Sequence, residues 1–380
     1  VRIAFHIDQL WFSAPGGIGT YVRELWFHMG TDGRAEIVPF SSRWRGREVP
    51  PGVIREAGAS TPHVRLPIQV LYPAWSITRR PHLPRAFGSI DLIHATNHAA
   101  IAPARRGQAL VVTVHDLAFE RVPDLFPPRW RRLYRRGLSI ARDEADLVLV
   151  PSAFTATELE GAGVDRERIR VTPLAGGASW GIEPGDEDVE EARAREPSEP
   201  YVLAVGTIEP RKNLGRLVRA FRRAVEDAGL PHVLVLAGDV GWHEDGLLDE
   251  IRSDPRGRVR YVGRVADAWL PVLRHDAAAI AYPSLYEGFG LPVLEGLAAG
   301  LPTLSSSTSA IPEVAGDAAL LVDPEDEDAI AAGLVRLLTD TALRDDLMAK
   351  GPARAAMFSW AATAHATLDA YREVVERPHA

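Results

Sequence analysis

Short runs of apolar, β-branched residues recur along the chain, each followed by a turn and then by a stretch of helical periodicity. That rhythm constrains the fold most, because strands separated by crossover helices assemble into parallel sheets covered on both faces. In the first half "VRIAFHI", "DLIHAT", "ALVVTVHD" and "ADLVLVPS" read as buried strands. In the second, "YVLAVGT", "HVLVLAGD", "VRYVGRV", "AAAIAYPS", "LPTLSS" and "AALLVDP" read the same way. Between them, "NLGRLVRAFRRAVEDAG" repeats Leu214, Leu217, Val218, Phe221 and Val225 at helical spacing, and Gly229 suits its C-cap. The class is α/β.

A chain of 380 residues is long enough for two such domains. The polar, acidic stretch 176–200, punctuated by Gly and Pro, marks the boundary. The expected domains are 1–180 and 201–358, joined by a linker over 181–200. The tail 359–380, "SWAATAHATLDAYREVVERPHA", reads as a terminal helix pair. Charge divides the same way: 23 arginines face 17 carboxylates in residues 1–180, whereas 20 basic residues face 34 carboxylates in the remainder. A net charge of −8 argues against a nucleic-acid partner. Cysteine is absent, which excludes disulfides and thiolate metal sites and agrees with a reducing cytoplasm. The chain opens on a strand without a charged leader, and no apolar run reaches the roughly 18 residues of a membrane span. A cytoplasmic location is expected, with any membrane contact peripheral at the inner face.

Four strand-to-helix loops carry chemistry. "HIDQLWFSAPGGIGTYVRELW" places Gly16, Gly17 and Gly19 where a backbone could approach an anion, though neither a P-loop nor a dinucleotide fingerprint is present. "VVTVHDLAF" ends a strand on His115-Asp116, either a pair that serves a sugar hydroxyl or one that closes a turn. "VGTIEPRKNLGRL" sets Arg211 and Lys212 at the start of a helix, a strong arrangement for a diphosphate. Lys212 is one of only two lysines in the chain, so its presence there is notable.

"YEGFGLPVLEGLAAG" keeps Glu287 and Glu295 in an apolar, Gly-rich setting. Pro292 suits a first helical turn, and amides from Gly288 to Leu291 would face a ligand. The carboxylates either bind sugar and ribose hydroxyls or cap the helix and complement its dipole. A further helix, "PPRWRRLYRRGLSIARDEADL", puts Trp130, Leu133, Tyr134, Leu138 and Ala141 on one face and Arg129, Arg131, Arg132, Arg135 and Arg136 on the other. It reads equally as a docking face for an anionic membrane and as a core helix with a solvated back.

Together these stretches resemble glycosyltransferase family four, retaining enzymes of the GT-B fold, with a flavour of the bacterial mannosyl- and rhamnosyltransferases. The resemblance is densest over "YVLAVGTIEPRKNL", "YPSLYEGFGLPVLEGLAAGLPTLSS" and "IPEVAGDAALLVDP", with "GGIGTYVREL", "VHDLAF" and "ADLVLVPSAFTATEL" supporting it. It implies two Rossmann-like β/α/β domains facing a central cleft, with a C-terminal helix crossing back to the N-terminal domain. It implies further that Arg211 and Lys212 hold a donor diphosphate, Glu287 touches the donor sugar and Glu295 takes the ribose diol. Gly206, Thr207, the amides of Gly288, Phe289, Gly290 and Leu291, and the turn Arg264-Val265 would complete the donor site. Gly17 would approach the phosphate, His115 would sit by the sugar, and Gly16, Asn97 and Asp116 would lie on the acceptor side.

Implied partners are a nucleotide-sugar donor and a glycan, lipid-linked or small-molecule acceptor. No cofactor or metal is expected, because the Asp-Glu-Asp triplets at 186–188 and 326–328 fall outside the expected cleft. Two departures stand out: "VTPLAGGASW" replaces the usual Pro-Leu-Gly-Val-Asp run, and Asn213 stands where many members have glycine, suiting a helix start. A sugar-nucleotide epimerase of the same fold and a non-catalytic sugar-nucleotide-binding subunit are the alternatives. A nicotinamide-dependent dehydrogenase is disfavoured by the missing fingerprint.

Overall fold

The computed structural model describes all residues except 13–14, 45–62, 177–184, 195, 243–244, 255 and 378–380. Among the described residues, twelve strands form two parallel six-stranded sheets. The first contains β1 (Arg2–His6), β2 (Glu36–Phe40), β3 (Leu92–Ala95), β4 (Ala109–Thr113), β5 (Leu147–Val150) and β6 (Ile169–Val171), in the order β2-β1-β3-β4-β5-β6. The second contains β7 (Tyr201–Val205), β8 (Val233–Ala237), β9 (Val259–Gly263), β10 (Ala279–Tyr282), β11 (Thr303–Ser306) and β12 (Leu320–Val322), in the order β12-β11-β10-β7-β8-β9. Central strands are buried on both faces, as continuous apolar runs such as "ALVV" and "VLVLA" require.

The two strands without a clear sequence signal, β2 and β6, are the edges of the first sheet. β2 carries Pro39, which an edge tolerates, and β6 has three residues with Arg170 among them. Partial exposure replaces the apolar run by a mixed pattern, and the signal fades.

The chain divides into one unit of Val1–Leu174 with Ser359–Ala380, and a second of Ala175–Phe358. The stretch 181–200, expected as a linker, holds the helix Asp186–Arg193. Val189 and Ala192 from that helix join Tyr201, Leu203, Val235 and Leu273 in the core of the second unit. Its charges mask a narrow apolar face.

The tail corrects a second expectation. It is one helix, Trp360–Glu376, rather than a pair. Ser359 caps it, accepting from the amide of Ala362 at 3.1 Å. Trp360, Ala364, Leu368, Tyr371 and Val374 are buried in the first unit. Arg170 grips Glu373 through two nitrogens at 2.9 and 2.5 Å, and Arg34 reaches Asp369 at 2.7 Å.

The Arg-rich helix Pro128–Glu144 also departs from its expected faces. Leu138 and Ala141 are buried, but Trp130 is 37% exposed, with Arg129 stacked over its ring. Arg135 pairs with Glu120 at 2.7 Å and Arg136 donates to the Ser76 carbonyl at 2.8 Å, so part of the basic face binds its own unit. Among the described residues, no helix is long and apolar enough to cross a membrane.

Candidate active site

Strand order locates the ligand end of each sheet. In the second sheet β7 connects onward to β8 on one side while β10 connects to β11 on the other. Diverging connections open a crevice at the carboxyl ends of such neighbours, where ligands of open α/β sheets bind. Glu209, Arg211 and Lys212 follow β7, and Glu287 follows β10.

These four side chains form one buried charged cluster. Arg211 Nη1 donates to Glu287 Oε2 at 2.8 Å and to the Tyr286 carbonyl at 2.9 Å. Its Nη2 donates to Glu209 Oε1 at 2.8 Å. Lys212 Nζ donates to Glu287 Oε1 at 2.7 Å and to the Tyr282 hydroxyl, which itself donates to Glu287 Oε1 at 3.0 Å. Glu287 thus holds one cation on each carboxylate oxygen. Burial alone would raise its pKa, but Arg211 and Lys212 hold it down at about 2. Burial and Arg211 oppose the charge on Lys212; Glu287, Tyr282 and Glu209 outweigh them and raise its pKa. The cluster therefore carries two positive and two negative charges, and two of the three ammonium hydrogens of Lys212 are engaged within it.

The backbone fixes this geometry. Pro210–Lys212 forms a 3₁₀ turn, and the amide of Leu285 donates to the Arg211 carbonyl at 2.9 Å. Asn213 does not cap the following helix, Leu214–Asp227, through its side chain, as the sequence suggests. It adopts a left-handed conformation (φ 60°), and its amide nitrogen donates to the carbonyls of Pro283 at 3.0 Å and Pro324 at 2.7 Å. A position needing positive φ suits glycine or asparagine, and here asparagine also pins two loops.

Gly290 precedes the helix Leu291–Ala298 with φ 106°, and a Cβ there would lie 2.4 Å from Ile311 Cδ1. The first-turn amides of such a helix lack partners within it, and Pro292 costs it none. Gly288 belongs to the same loop, while Phe289 and Leu291 turn their side chains into the unit. Glu295, five residues into the helix, pairs with Arg274 Nη2 at 2.5 Å.

Gly206 and Thr207 line a recess with Lys212 and Tyr282. Arg264 is exposed, 3.7 Å from Asp239, whereas the side chain of Val265 is buried, leaving only its backbone for a ligand. Two groups escaped the sequence reading. Tyr282 looks like one more core strand residue until its hydroxyl is seen at Lys212 and Glu287. Gly238 sits where a Cβ would lie 1.9 Å from the Gly206 carbonyl, which draws the loops after β7 and β8 together. "LAGD" after a strand was its available signal.

In the first unit the corresponding divergence lies between β1 and β3. His115, after the adjacent β4, places Nε2 2.8 Å from the Thr96 carbonyl, which follows β3. Burial lowers its pKa. The ring meets Tyr21 edge-on at 4.9 Å, and Tyr21 stands one turn beyond Gly17 on the helix Gly16–Asp32. Gly16 has φ 57°; Gly17 is exposed. Asn97 and Asp116 are tied up locally: Asn97 Oδ1 accepts from Ala99 N at 2.9 Å and Asp116 Oδ1 from Ala118 N at 3.0 Å. These are turn-closing bonds, the plainer of their two readings.

The acidic triplets also have local work. Asp326 caps the helix Glu327–Thr339, while Glu327 and Asp328 pair with Arg219 and Arg223. Asp188 accepts from the Gly185 amide at 3.2 Å.

Two doubly wound parallel sheets, each with its candidate loops at the carboxyl edge, are the architecture of the GT-B class of glycosyltransferases. A family model described as Glycosyltransferase Family 4 matches residues 15–175, and one described as Glycosyl transferases group 1 matches 186–354. O-antigen chain mannosyltransferase B of Escherichia coli is 34% identical over 270 residues, covering 70% of this chain and 71% of that protein. Serotype-specific mannosyltransferase WbdA of Escherichia coli is 30% identical over 277 residues; these are 70% of this chain but only 34% of WbdA. Sucrose-phosphate synthase from Thermosynechococcus elongatus shares the fold at a TM-score of 0.74 and 23% identity, over 98% of both chains. The chain belongs to glycosyltransferase family 4.

Proposed function

We propose that the chain moves a hexose, with GDP-mannose as the leading donor, from a nucleotide-diphosphate sugar to a hydroxyl of a glycan, glycolipid or small-molecule acceptor. In this reading it does so with retention of configuration and without a metal ion. The observation that carries the reading is the Arg211–Lys212 pair at the β7/β10 divergence, held in place by Glu287.

Breaking a sugar–phosphate bond builds negative charge on the leaving diphosphate and positive charge at the anomeric carbon. Preorganised cations and the N-terminal amides of helix Leu291–Ala298 answer the first without reorganising during the reaction. The remaining ammonium hydrogen of Lys212 is the group left to meet a phosphate oxygen. Glu287 stays ionised and supports the second charge. Glu295 offers an oxygen to the ribose, and Glu287 contacts the sugar. In the first unit, His115 presents a neutral imidazole to a sugar hydroxyl. With no side chain assigned as a covalent nucleophile, the acceptor attacks from the face the diphosphate leaves, and a phosphate oxygen takes its proton.

The mannosyltransferase relatives favour mannose. A thermal-shift panel of GDP-, UDP-, ADP- and dTDP-sugars tests the donor. The proposal expects GDP-mannose to stabilise most, by about 2.7 kcal/mol at 100 times its dissociation constant. Stabilisation by another nucleotide sugar alone would overturn the donor assignment.

A further inference from the structure

The first unit buries a chain of polar side chains that the proposed chemistry does not use. The hydroxyl of Tyr371, on the C-terminal helix, lies 2.5 Å from Nδ1 of His94. Nε2 of His94 lies 2.8 Å from Thr113 Oγ1, which is 2.9 Å from the Tyr21 hydroxyl. None of the four is more than 2% exposed. The last ring in the chain, Tyr21, packs T-shaped against His115 at an interplanar angle of 81°.

Leu, Val and Phe would fill these positions without removing polar groups from water, so the polar side chains here point to a requirement for fixed position rather than packing alone. Burial keeps His94 neutral, its pKa pushed down to about 3. A neutral imidazole donates from one nitrogen and accepts at the other, so His94 links the Tyr371 hydroxyl to Thr113, whose hydroxyl in turn meets that of Tyr21. His115 is fixed from the other side. Its Nε2 faces a carbonyl, which only accepts, so Nε2 carries the proton and Nδ1 keeps the lone pair.

We propose that Tyr371 is a positioning residue for His115, with the C-terminal helix acting through His94, Thr113 and Tyr21 to hold the imidazole in one plane. This rests on the reading of His115 as the group that meets the sugar. The helix has independent anchors in Arg170–Glu373, Arg34–Asp369 and the Thr363 hydroxyl on the Pro173 carbonyl. Removing one phenolic oxygen therefore leaves it docked.

The test is Tyr371→Phe, with Tyr21→Phe as a second break should the first fail to fold. Steady-state kinetics should show kcat down about tenfold and the donor KM within twofold, since Arg211 and Lys212 belong to the other unit. Nitrogen-15 spectra of labelled histidine should show the His115 signals shift and broaden as the ring loses its fixed plane, while the Nε2–H form set by the Thr96 carbonyl persists. A kcat within twofold of wild type would overturn the proposal. So would a reduced kcat with unchanged His115 signals, because Tyr371 would then serve only the fold. His115→Ala separates the two levels. If it keeps wild-type turnover, the reading of His115 fails and the relay with it. If it loses turnover while Tyr371→Phe does not, the relay alone is wrong.

Discussion

Replacing Glu287 by glutamine keeps the shape of the side chain and removes the charge shared by Arg211 and Lys212. The carboxylate has an ordinary pKa of 4.5 and is held at about 2, with its side chain 8% exposed. At about 1.36 kcal/mol per pKa unit, that gap corresponds to about 3 kcal/mol favouring the ionised, folded form. The value agrees with the roughly 3–5 kcal/mol expected when one partner leaves a buried ion pair. For a unit of this size, about 3 kcal/mol lowers the melting temperature by roughly 6–12 °C.

The effect has a sign in pH. A depressed carboxylate stabilises fully above its unfolded pKa near 4.5, and the contribution is lost as pH falls toward about 2. Wild type and Glu287→Gln should therefore differ most near neutrality and converge in acid. Ligand binding should move the other way. The variant cluster has one negative charge fewer, so GDP should stabilise it at least as strongly as wild type while turnover is lost. Thermal unfolding with and without GDP, beside an initial-rate assay, reads all three. A melting temperature within about 2 °C of wild type with retained turnover would refute the reasoning. GDP that stabilised neither protein would refute the diphosphate role.

Asn213→Gly should be milder than Asn213→Ala. Alanine loses the three side-chain hydrogen bonds to Pro283, Pro324 and Arg216, worth about 1 kcal/mol each, and adds roughly 1–2 kcal/mol for the left-handed backbone; glycine avoids the backbone part. Chemical denaturation of the two variants checks the order. Arg274→Gln removes the guanidinium that holds Glu295 and should weaken GDP binding about tenfold, yet leave a 2′-deoxy analogue within twofold, by calorimetric titration. An equal loss for both nucleotides would remove Glu295 from the ribose.

Legibility in the sequence followed burial. The central strands β7, β8 and β10 of the second sheet carry buried apolar runs that declare themselves, while the two edge strands of the first have mixed patterns and did not. Arg211, Lys212 and Glu287 were readable because charge in an apolar, Gly-rich loop needs a reason. Their mutual pairing was not, since residues 211 and 287 are joined only by the adjacency of β7 and β10. Tyr282 was hidden by its place in a strand, where an aromatic needs no further explanation. Asn213 misled in a specific way: asparagine suits both a helix cap and a left-handed residue, and only the dihedral angle separates them. Asp116 and Asn97 drew attention as polar groups at strand ends, yet local amides use them.

The central claim is sugar transfer from a nucleotide donor with retention and without a metal. Proton NMR of the product formed from GDP-mannose and a mannoside acceptor, in buffer containing a chelator, tests it most directly. The account predicts a new glycoside with the donor's anomeric configuration, formed at the same rate with or without the chelator. An inverted product, or transfer abolished by the chelator and restored by a divalent ion, would contradict it.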